Sequence, residues 1–171
     1  MKLYMAPLDE VFTRLDMKIS VKTRLGHYDP EEIGPLMEIY NQFPLEELMI
    51  HPRIQTDYYK GKPRIEKFTE AYQMSKSALC YNGDIFTKED FEKIQKQFPR
   101  IDSVMIERGL LADPGLVPKI REEKETNIEQ WKGFLQKLRD DYQKISISDE
   151  KVETLRPMAG LDNFLVIKRW K

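Results

Sequence analysis

The stretch DSVMIERGLLADPG, residues 102–115, contains the pattern that decides the fold. An apolar run rich in β-branched residues ends at Arg108-Gly109, and Asp113-Pro114 then starts a helix. The same order, a short apolar strand followed by a polar strand end and a helix, occurs three more times earlier in the chain. The sequence therefore predicts parallel βα units, whose functional residues gather at the carboxyl ends of the strands.

The other three predicted strands are MKISVK at residues 17–22, EELMIH at 46–51 and ALCY at 78–81, and the fourth is SVMI at 103–106. Asp29-Pro30 opens the helix after the first strand, with Glu32 placed to complete a capping box. The second helix follows Pro63, and the third begins at a Thr87 cap. Strand starts recur at roughly 25 to 30 residues, which is the size of one βα unit.

The pattern changes near residue 126. Six apolar residues at helical spacing predict an amphipathic helix over residues 128–145: Trp131, Phe134, Leu135, Leu138, Tyr142 and Ile145. Beyond Ser148 the pattern is open between helix and strand. We therefore expect a βα domain at residues 1–125 and a mostly helical segment at residues 126–171.

Composition sets the class of protein. The chain has 171 residues, 40% hydrophobic and 33% charged, which is typical of a globular domain. A net charge of −1 means that any contact with nucleic acid needs a local basic patch. A single cysteine, Cys80, excludes an intramolecular disulfide and a cysteine-based zinc cluster, so we expect no metal site. No apolar run approaches the ~18 residues of a membrane helix, and residues 1–8 lack a signal-peptide pattern, so we expect a cytoplasmic protein.

Residues at the first two strand ends each have two interpretations. His51 is either a histidine satisfied by a neighbouring backbone group, or a proton donor or phosphate contact. Lys22 and Arg24 lie on the same side of an extended segment. A cation buried there needs an anion, which could be Asp84 or a cofactor group.

Three other features are ambiguous in the same way. Asn82-Gly83-Asp84 fits an ordinary βα turn, and Cys80, inside an apolar strand, is more simply a buried thiol than a nucleophile. A basic segment follows Tyr58 and Tyr59, and this mixture suits RNA as well as solvated charge: Lys60, Lys62, Arg64 and Lys67. The basic end of the chain, residues 168–171, allows the same two interpretations.

Together, the four strand ends resemble one family. The segments ISVKTRLG, LMIHPRIQTDYYKGKP, CYNGDIFTKED and VMIERGLLADPGL occur in the order and at the spacing found in the second half of the tRNA-dihydrouridine synthases, flavoenzymes that reduce a uridine in tRNA. MKLYMAPL resembles the opening strand of that family, and the helix containing Trp131 resembles the start of its tRNA-recognition domain.

The resemblance implies a partial, half TIM-barrel-like α/β fold with a C-terminal helical segment, an FMN cofactor, NADPH or NADH as electron donor, and tRNA as substrate. It implies that Lys22 faces the flavin ring, and that Arg53, with Lys60 and Lys62, faces RNA. The residues implied to contact the flavin or its phosphate are Lys22, Arg24, His51, Asn82, Gly83, Asp84, Arg108 and Gly109.

Two departures from the family pattern matter. Glu107 stands where the family usually has glycine, and a carboxylate beside a phosphate costs roughly 1 kcal/mol or more even at an effective dielectric near 20, unless it turns away or pairs with Arg108. In addition, MKLYMAPL leads almost directly into the VKTRLG strand, so the βα units between them, including the segment with the catalytic cysteine, have no counterpart in this sequence. Cys80 does not replace that cysteine, and no catalytic residue is identifiable.

The sequence thus supports an FMN-dependent synthase-like enzyme, with a non-catalytic FMN- or tRNA-binding relative as the alternative. A third possibility is a truncated product without function of its own. Residues 1–125 amount to about half of the roughly 250 residues of a (β/α)₈ barrel, so we expect an open sheet. Open sheet edges favour pairing with another chain, and we expect a homo-oligomer.

Overall fold

The computed structural model describes residues 2–58, 60–101, 103–113 and 115–121, together with residues 129, 133, 136, 137, 140–142 and 144. The helices are α1 (Lys2–Arg14), α2 (Ile33–Tyr40), α3 (Ile65–Met74), α4 (Lys88–Gln97), α5 (Arg108–Ala112) and α6 (Leu116–Ile120). The strands are β1 (Ser20–Arg24), β2 (Glu47–His51), β3 (Leu79–Tyr81) and β4 (Ser103–Val104), and 3₁₀ turns lie at Pro30–Glu32 and Gln55–Asp57.

The four strands form one parallel sheet in the order β1-β2-β3-β4. Helices alternate with these strands along the chain, so the predicted α/β class with half-barrel-like βα units is confirmed. The chain divides into two compact units, one of Met1–Gly83 with Gln95–Met105 and one of Asp84–Ile94 with Ile106–Lys171. The sheet belongs to the first unit. The predicted domain boundary at residues 125/126, the greater part of the predicted helix over 128–145, and residues 168–171 lie outside the described residues.

One face of the sheet forms the core of the first unit. Leu48, Ile50 and Tyr81 are at most 1% exposed. Phe68 of α3 meets the Tyr81 ring edge-on, with centroids 5.0 Å apart, and meets Phe98 in the same way at 4.9 Å. Burial of such large apolar side chains stabilises a fold by roughly 1.5–3 kcal/mol each. This packing fixes which strand residues point the other way.

The opposite face of the sheet has a different composition. Register pairing sets Lys22 beside Met49, Met49 beside Cys80, and Cys80 beside Ser103, so these residues share a face. In a closed (β/α)₈ barrel, the face turned away from the helices lines the interior. In this chain that face carries mainly polar side chains, and some of them lie at the carboxyl ends of the strands.

Two helix starts confirm the capping predicted from the sequence. Asp29 accepts the Glu31 N–H at 2.9 Å, and Glu32 accepts the Asp29 N–H at 2.9 Å, which completes the capping box before α2. At α4, Thr87 accepts the Asp90 N–H at 3.1 Å, and the Asp90 carboxylate accepts the Thr87 N–H at 3.1 Å.

The expected opening strand at MKLYMAPL is wrong, because these residues lie in helix α1. A strand there would need a neighbour in the sheet, and among the described residues β1 pairs only with β2. A helix satisfies its backbone groups internally. The Phe12 ring of α1 also stacks on Phe43, with ring centroids 5.2 Å apart.

Strand β1 begins three residues later than predicted. Its ladder with β2 starts at Ser20 opposite Glu47, after the Glu46 N–H donates to the Ile19 carbonyl at 2.9 Å. Met17, which the prediction included, is 65% exposed. In the second unit, a helix already starts at Arg108, before the helix expected at Asp113-Pro114.

Candidate functional site at the strand ends

The first unit brings Arg24, His51 and Asn82 together at the carboxyl ends of neighbouring strands. Arg24 is paired in register with His51, and the Asn82 N–H donates to the Ile50 carbonyl at 3.0 Å, which continues the ladder beyond β3. His51 and Asn82 are buried, while Lys22, one pleat below on β1, is exposed. These positions agree with the prediction that polar residues gather at the carboxyl ends of the strands, with Lys22 and Arg24 on one side of β1.

The hydrogen bonds around His51 define its tautomer. The Arg53 Nη1 atom lies 3.0 Å from His51 Nε2 and can only donate, so Nε2 is the acceptor. His51 Nδ1 then carries the proton and donates to Asn82 Oδ1 at 3.2 Å. Asn82 Nδ2 in turn donates to the Met105 carbonyl at 3.0 Å, which fixes the orientation of the amide. His51 is therefore a satisfied histidine, but its partners are the side chains of Arg53 and Asn82 and not the backbone group that the first interpretation expected.

Electrostatics keep this imidazole neutral. Burial, together with the positive charges of Arg24, Arg53 and Lys22, lowers the pKa of His51 to about 4, against the opposing effect of the Asn82 hydrogen bond. Near neutral pH this imidazole is neutral and so does not act as an imidazolium general acid. The nearby positive charges of Arg24, Arg53 and Lys22 also give this edge of the sheet a positive electrostatic potential, which suits an anionic group.

Arg53, expected to face RNA, has no exposed surface. Its Nη2 donates to the Gly61 carbonyl at 2.6 Å and its Nε donates to the Lys60 carbonyl at 3.3 Å. Lys60 and Lys62, the other two residues expected to face RNA, are exposed. Arg53 thus connects His51 to the loop that carries both lysines.

Arg64 and Lys67, the other cations of this basic segment, lie in ion pairs. Arg64 holds the Asp57 carboxylate with both Nη atoms. Lys67 donates to Glu31 at 2.5 Å and to Glu70 at 2.9 Å. These two cations therefore act within the fold, and Lys60 and Lys62 remain the exposed positive charges of the segment.

The second unit holds three of the other predicted residues. Arg108 forms an ion pair with Asp84, and its guanidinium lies over the Phe86 ring with the carbon 5.6 Å from the centroid. Gly109 is buried, and a Cβ there would meet the Ile85 carbonyl oxygen at 1.9 Å. Internal packing is therefore sufficient to require glycine at position 109. Glu107 provides the backbone carbonyl that accepts the Leu110 N–H at 3.1 Å.

Gly83 is another residue expected to contact the flavin or its phosphate. It lies in the first unit, where an added Cβ would come within 2.1 Å of the Tyr81 hydroxyl. Cys80 is buried in β3 as predicted, and burial raises the pKa of its thiol, which opposes nucleophilic or acidic chemistry.

The sequence reasoning missed two features of this face of the sheet. Glu47 of β2 and Ser103 of β4 share a hydrogen bond across β3, and the only signal for it is the period-two alternation of polar residues in these strands. Arg24 donates from Nη1 to the Ile54 carbonyl at 3.0 Å and to the Tyr58 carbonyl at 2.9 Å, so it also organises the loop after β2.

Comparison with known proteins gives consistent results. A tRNA-dihydrouridine(16) synthase of Pseudomonas syringae pv. tomato is 27% identical over 105 residues, covering 61% of this chain and 33% of that protein. The corresponding Vibrio vulnificus protein is 30% identical over 99 residues, covering 57% and 31%. A "Probable tRNA-dihydrouridine synthase 2" of Bacillus subtilis is 28% identical over 159 residues, covering 88% and 46%.

The chain spans less than half the length of each of these relatives. In its described part, no helix is both long enough and apolar enough to cross a membrane. The family model for dihydrouridine synthases matches residues 2–165, nearly the whole chain. With a parallel βα sheet and its polar residues at the strand ends, this chain belongs to the dihydrouridine synthase family.

Proposed function

We propose that this chain binds FMN and acts on tRNA as a dihydrouridine synthase-like protein, with NADPH or NADH as the source of electrons. The observation that carries the proposal is the cluster of cations at the carboxyl edge of the sheet: Arg24 is in register with buried His51, Arg53 donates to its ring, and Lys22 lies on the same face. The curated relatives are named for the synthesis of dihydrouridine in tRNA, which supports the same substrate for this chain.

The residues of the first unit fit an anionic, hydrogen-bonding cofactor. Lys22 and Arg24 bring positive charge to one face, and the backbone and side chain of Asn82 are already ordered there. Lys22, which is exposed, would face the flavin ring and stabilise negative charge on it. Bound FMN would supply the hydride for the carbon–carbon double bond of uracil.

His51 has a fixed role in this proposal. Its Nε2 accepts from Arg53 and its Nδ1–H donates to Asn82. In this proposal His51 therefore holds these two side chains in place beside the cofactor and transfers no proton. Gly83 is expected to allow close approach of the backbone after β3. In the second unit, Asp84, Arg108 and Gly109 are proposed as phosphate contacts from the family resemblance.

Flavin titration tests the cofactor. We expect FMN fluorescence to be quenched saturably by the purified chain, and Lys22→Ala to weaken binding about tenfold, which corresponds to roughly 1.4 kcal/mol for one lost charge contact. Lys18→Ala is the matched control, because Lys18 is an exposed lysine just before β1 that pairs with Glu46 at 2.7 Å. Equal weakening by both variants would refute the role assigned to Lys22.

Uridine reduction tests the reaction. FMN-loaded protein with NADPH and an unmodified tRNA transcript should form dihydrouridine, detected by mass spectrometry of the digested tRNA. A non-catalytic FMN- or tRNA-binding protein is the alternative, favoured by Cys80, whose buried thiol with raised pKa offers no acid for the uracil ring. Saturable binding of FMN or tRNA without dihydrouridine would establish that alternative, and absence of binding to both FMN and tRNA would overturn both proposals.

We also propose that the chain forms a homo-oligomer through its sheet edges. Among the described residues β1 pairs only with β2 and β4 only with β3, which leaves an outer edge on each. Backbone groups on an open edge gain hydrogen bonds by pairing with another chain. Light scattering should give a mass above 20.3 kDa, the mass of one chain. A monomeric mass with cooperative unfolding would refute the oligomer.

A further inference from the structure

Three side chains, those of Arg24, Arg53 and Asp57, hold the loop after β2 in one conformation. Arg24 donates to the Ile54 and Tyr58 carbonyls, and Arg53 donates to the Lys60 and Gly61 carbonyls. Asp57 accepts the Ile54 N–H at 3.0 Å and pairs with Arg64. Guanidinium groups with several aligned donors fix backbone geometry well. This organisation exceeds what a loop needs merely to connect β2 with α3.

Tyr58 has an unusual backbone conformation in this loop. Its φ of 52° and ψ of −103° lie near the first central position of a type II′ turn, which glycine normally occupies. The turn is closed by the Lys60 N–H, which donates to the Asp57 carbonyl at 2.9 Å. A non-glycine residue here works against stability. Strained residues of this kind cluster at functional sites, where the surrounding structure enforces them.

The strained residue presents its aromatic ring to solvent. The Tyr58 side chain is 69% exposed, and Lys60 and Lys62 nearby in the chain are exposed as well. The ring gains no burial that would compensate for the strain in the isolated chain. An exposed aromatic ring among lysines suits an unpaired nucleobase that stacks on the ring while its phosphates meet the ammonium groups.

A second exposed tyrosine lies on the adjoining loop after β1. Tyr28 is 74% exposed. The two loops are tied together, because the Thr56 N–H donates to the His27 carbonyl at 3.3 Å and the His27 ring contacts Gln55 Oε1 at 3.0 Å. Exposed tyrosines and lysines therefore occupy two linked loops at the carboxyl ends of β1 and β2.

We propose that these two loops form an RNA-contact surface on which Tyr58 stacks against an unpaired base of the tRNA. Lys60 and Lys62 contact the phosphates. Arg53 is a positioning residue that holds the loop carrying Tyr58, and it does not touch RNA. This inference rests on the proposed function for the identity of the RNA, and it assigns the stacking group and the division of roles.

Variants of Tyr58 separate the effect of the aromatic ring on RNA affinity from the effect of the backbone strain on stability. With a fluorescently labelled, unmodified tRNA transcript and a short oligouridylate as probes, Tyr58→Phe should bind within twofold of the natural protein. Tyr58→Ala and Tyr58→Gly should each weaken binding about tenfold, within the range for one base stacked on an aromatic ring. Tyr58→Gly should at the same time raise Tm by about 4 °C, because glycine tolerates this φ.

The combination of higher stability with weaker RNA binding is the diagnostic result. Unchanged RNA affinity in Tyr58→Gly, or equal losses in Tyr58→Phe and Tyr58→Ala, would overturn the stacking role. Lys76→Ala is the control for charge, because Lys76 is exposed in the turn just before β3, at the amino ends of the strands, and it should leave affinity unchanged.

The salt dependence of tRNA binding distinguishes the phosphate contact proposed for Lys60 from the positioning role proposed for Arg53. Lys60→Ala should reduce the slope of log Kd against log salt concentration by about one, since one phosphate contact is lost. Arg53→Gln should weaken tRNA binding without changing that slope. A slope reduced by Arg53→Gln would overturn its positioning role, and if this variant does not fold, the Tyr58 and Lys60 variants decide the surface by themselves.

The outcome is distinguishable from failure of the proposed function. Absence of FMN binding or of dihydrouridine, with tRNA binding that still follows the Tyr58 series, would refute the enzyme and leave the surface intact. Absence of binding to both RNA probes by the natural protein would overturn the surface itself.

Discussion

Lowering the pH from about 7 to about 4.5 should destabilise this protein mainly through one side chain, His51. Its pKa is about 4 in the folded chain and about 6.5 when the chain is unfolded. Between these values the unfolded state binds a proton that the folded state does not. Stability contributed by neutral His51 is therefore present above pH 6.5 and is lost as the pH falls towards 4.

The magnitude follows from the separation of the two pKa values. Each unit is worth about 1.4 kcal/mol, so the change from pH 7 to 4.5 should cost about 2 kcal/mol of unfolding free energy. Carboxylates whose pKa is lowered in the folded chain, Glu32 and Glu89 among them, add a smaller loss near the acid end of this window. The Arg64 hydrogen bond holds the pKa of Asp57 below its ordinary value, so this carboxylate is protonated in the folded chain only at pH values below the window.

Urea unfolding at the two pH values measures the effect. The natural protein should lose about 2 kcal/mol, and His51→Gln should lose less than half of that, because glutamine keeps a hydrogen-bonding side chain but does not titrate. His27→Gln is the matched control, since His27 is the other histidine of the chain and its ring contacts Gln55 at 3.0 Å.

His27→Gln should retain the full loss of stability in acid. If the natural protein and His51→Gln lose the same free energy, His51 is not the buried neutral imidazole described above. If His27→Gln abolishes the loss of stability in acid, that loss belongs to His27 and not to His51.

Three further predictions concern packing, charge and the thiol. Gly109→Ala should lower the unfolding free energy by about 2 kcal/mol or more, because the new Cβ would meet the Ile85 carbonyl at 1.9 Å, whereas Gly133→Ala should stabilise a helical position by up to about 1 kcal/mol, both measured by urea unfolding. Asp57→Asn should cost about 1–2 kcal/mol at neutral pH and remove the acid-dependent part of that stability below about pH 4, as seen by thermal unfolding across pH. Cys80 should not react with a thiol reagent in the native chain at neutral pH and should react fully in urea; rapid native labelling would contradict its burial.

Much of the fold could be predicted because local signals and hydrophobic pattern agree. The Asp29 capping box, the Thr87 cap and four short apolar runs each predict their element independently of tertiary contacts. The failure at MKLYMAPL has a tertiary cause. A single apolar run fits a strand or a helix, and the decision depended on whether a neighbouring strand existed.

The candidate site could be predicted only as a set of positions. Parallel βα order predicts that Arg24, His51 and Asn82 meet at one edge, and they do. The roles within the set depend on which atoms touch. No sequence pattern reveals that Arg53 turns inward to the carbonyls of residues 60 and 61 while Tyr58 turns outward. The direction of a loop side chain follows from backbone geometry that spacing alone does not encode.

The strand order β1-β2-β3-β4 has a consequence for how the chain folds during synthesis. Among the described strands, β2, β3 and β4 each pair with the strand made just before, so none of these pairings has to wait for a distant segment to leave the ribosome. Closing such short loops carries a small entropic cost and favours fast, vectorial folding. The nascent sheet would grow one βα unit at a time, with each finished unit serving as the template for the next.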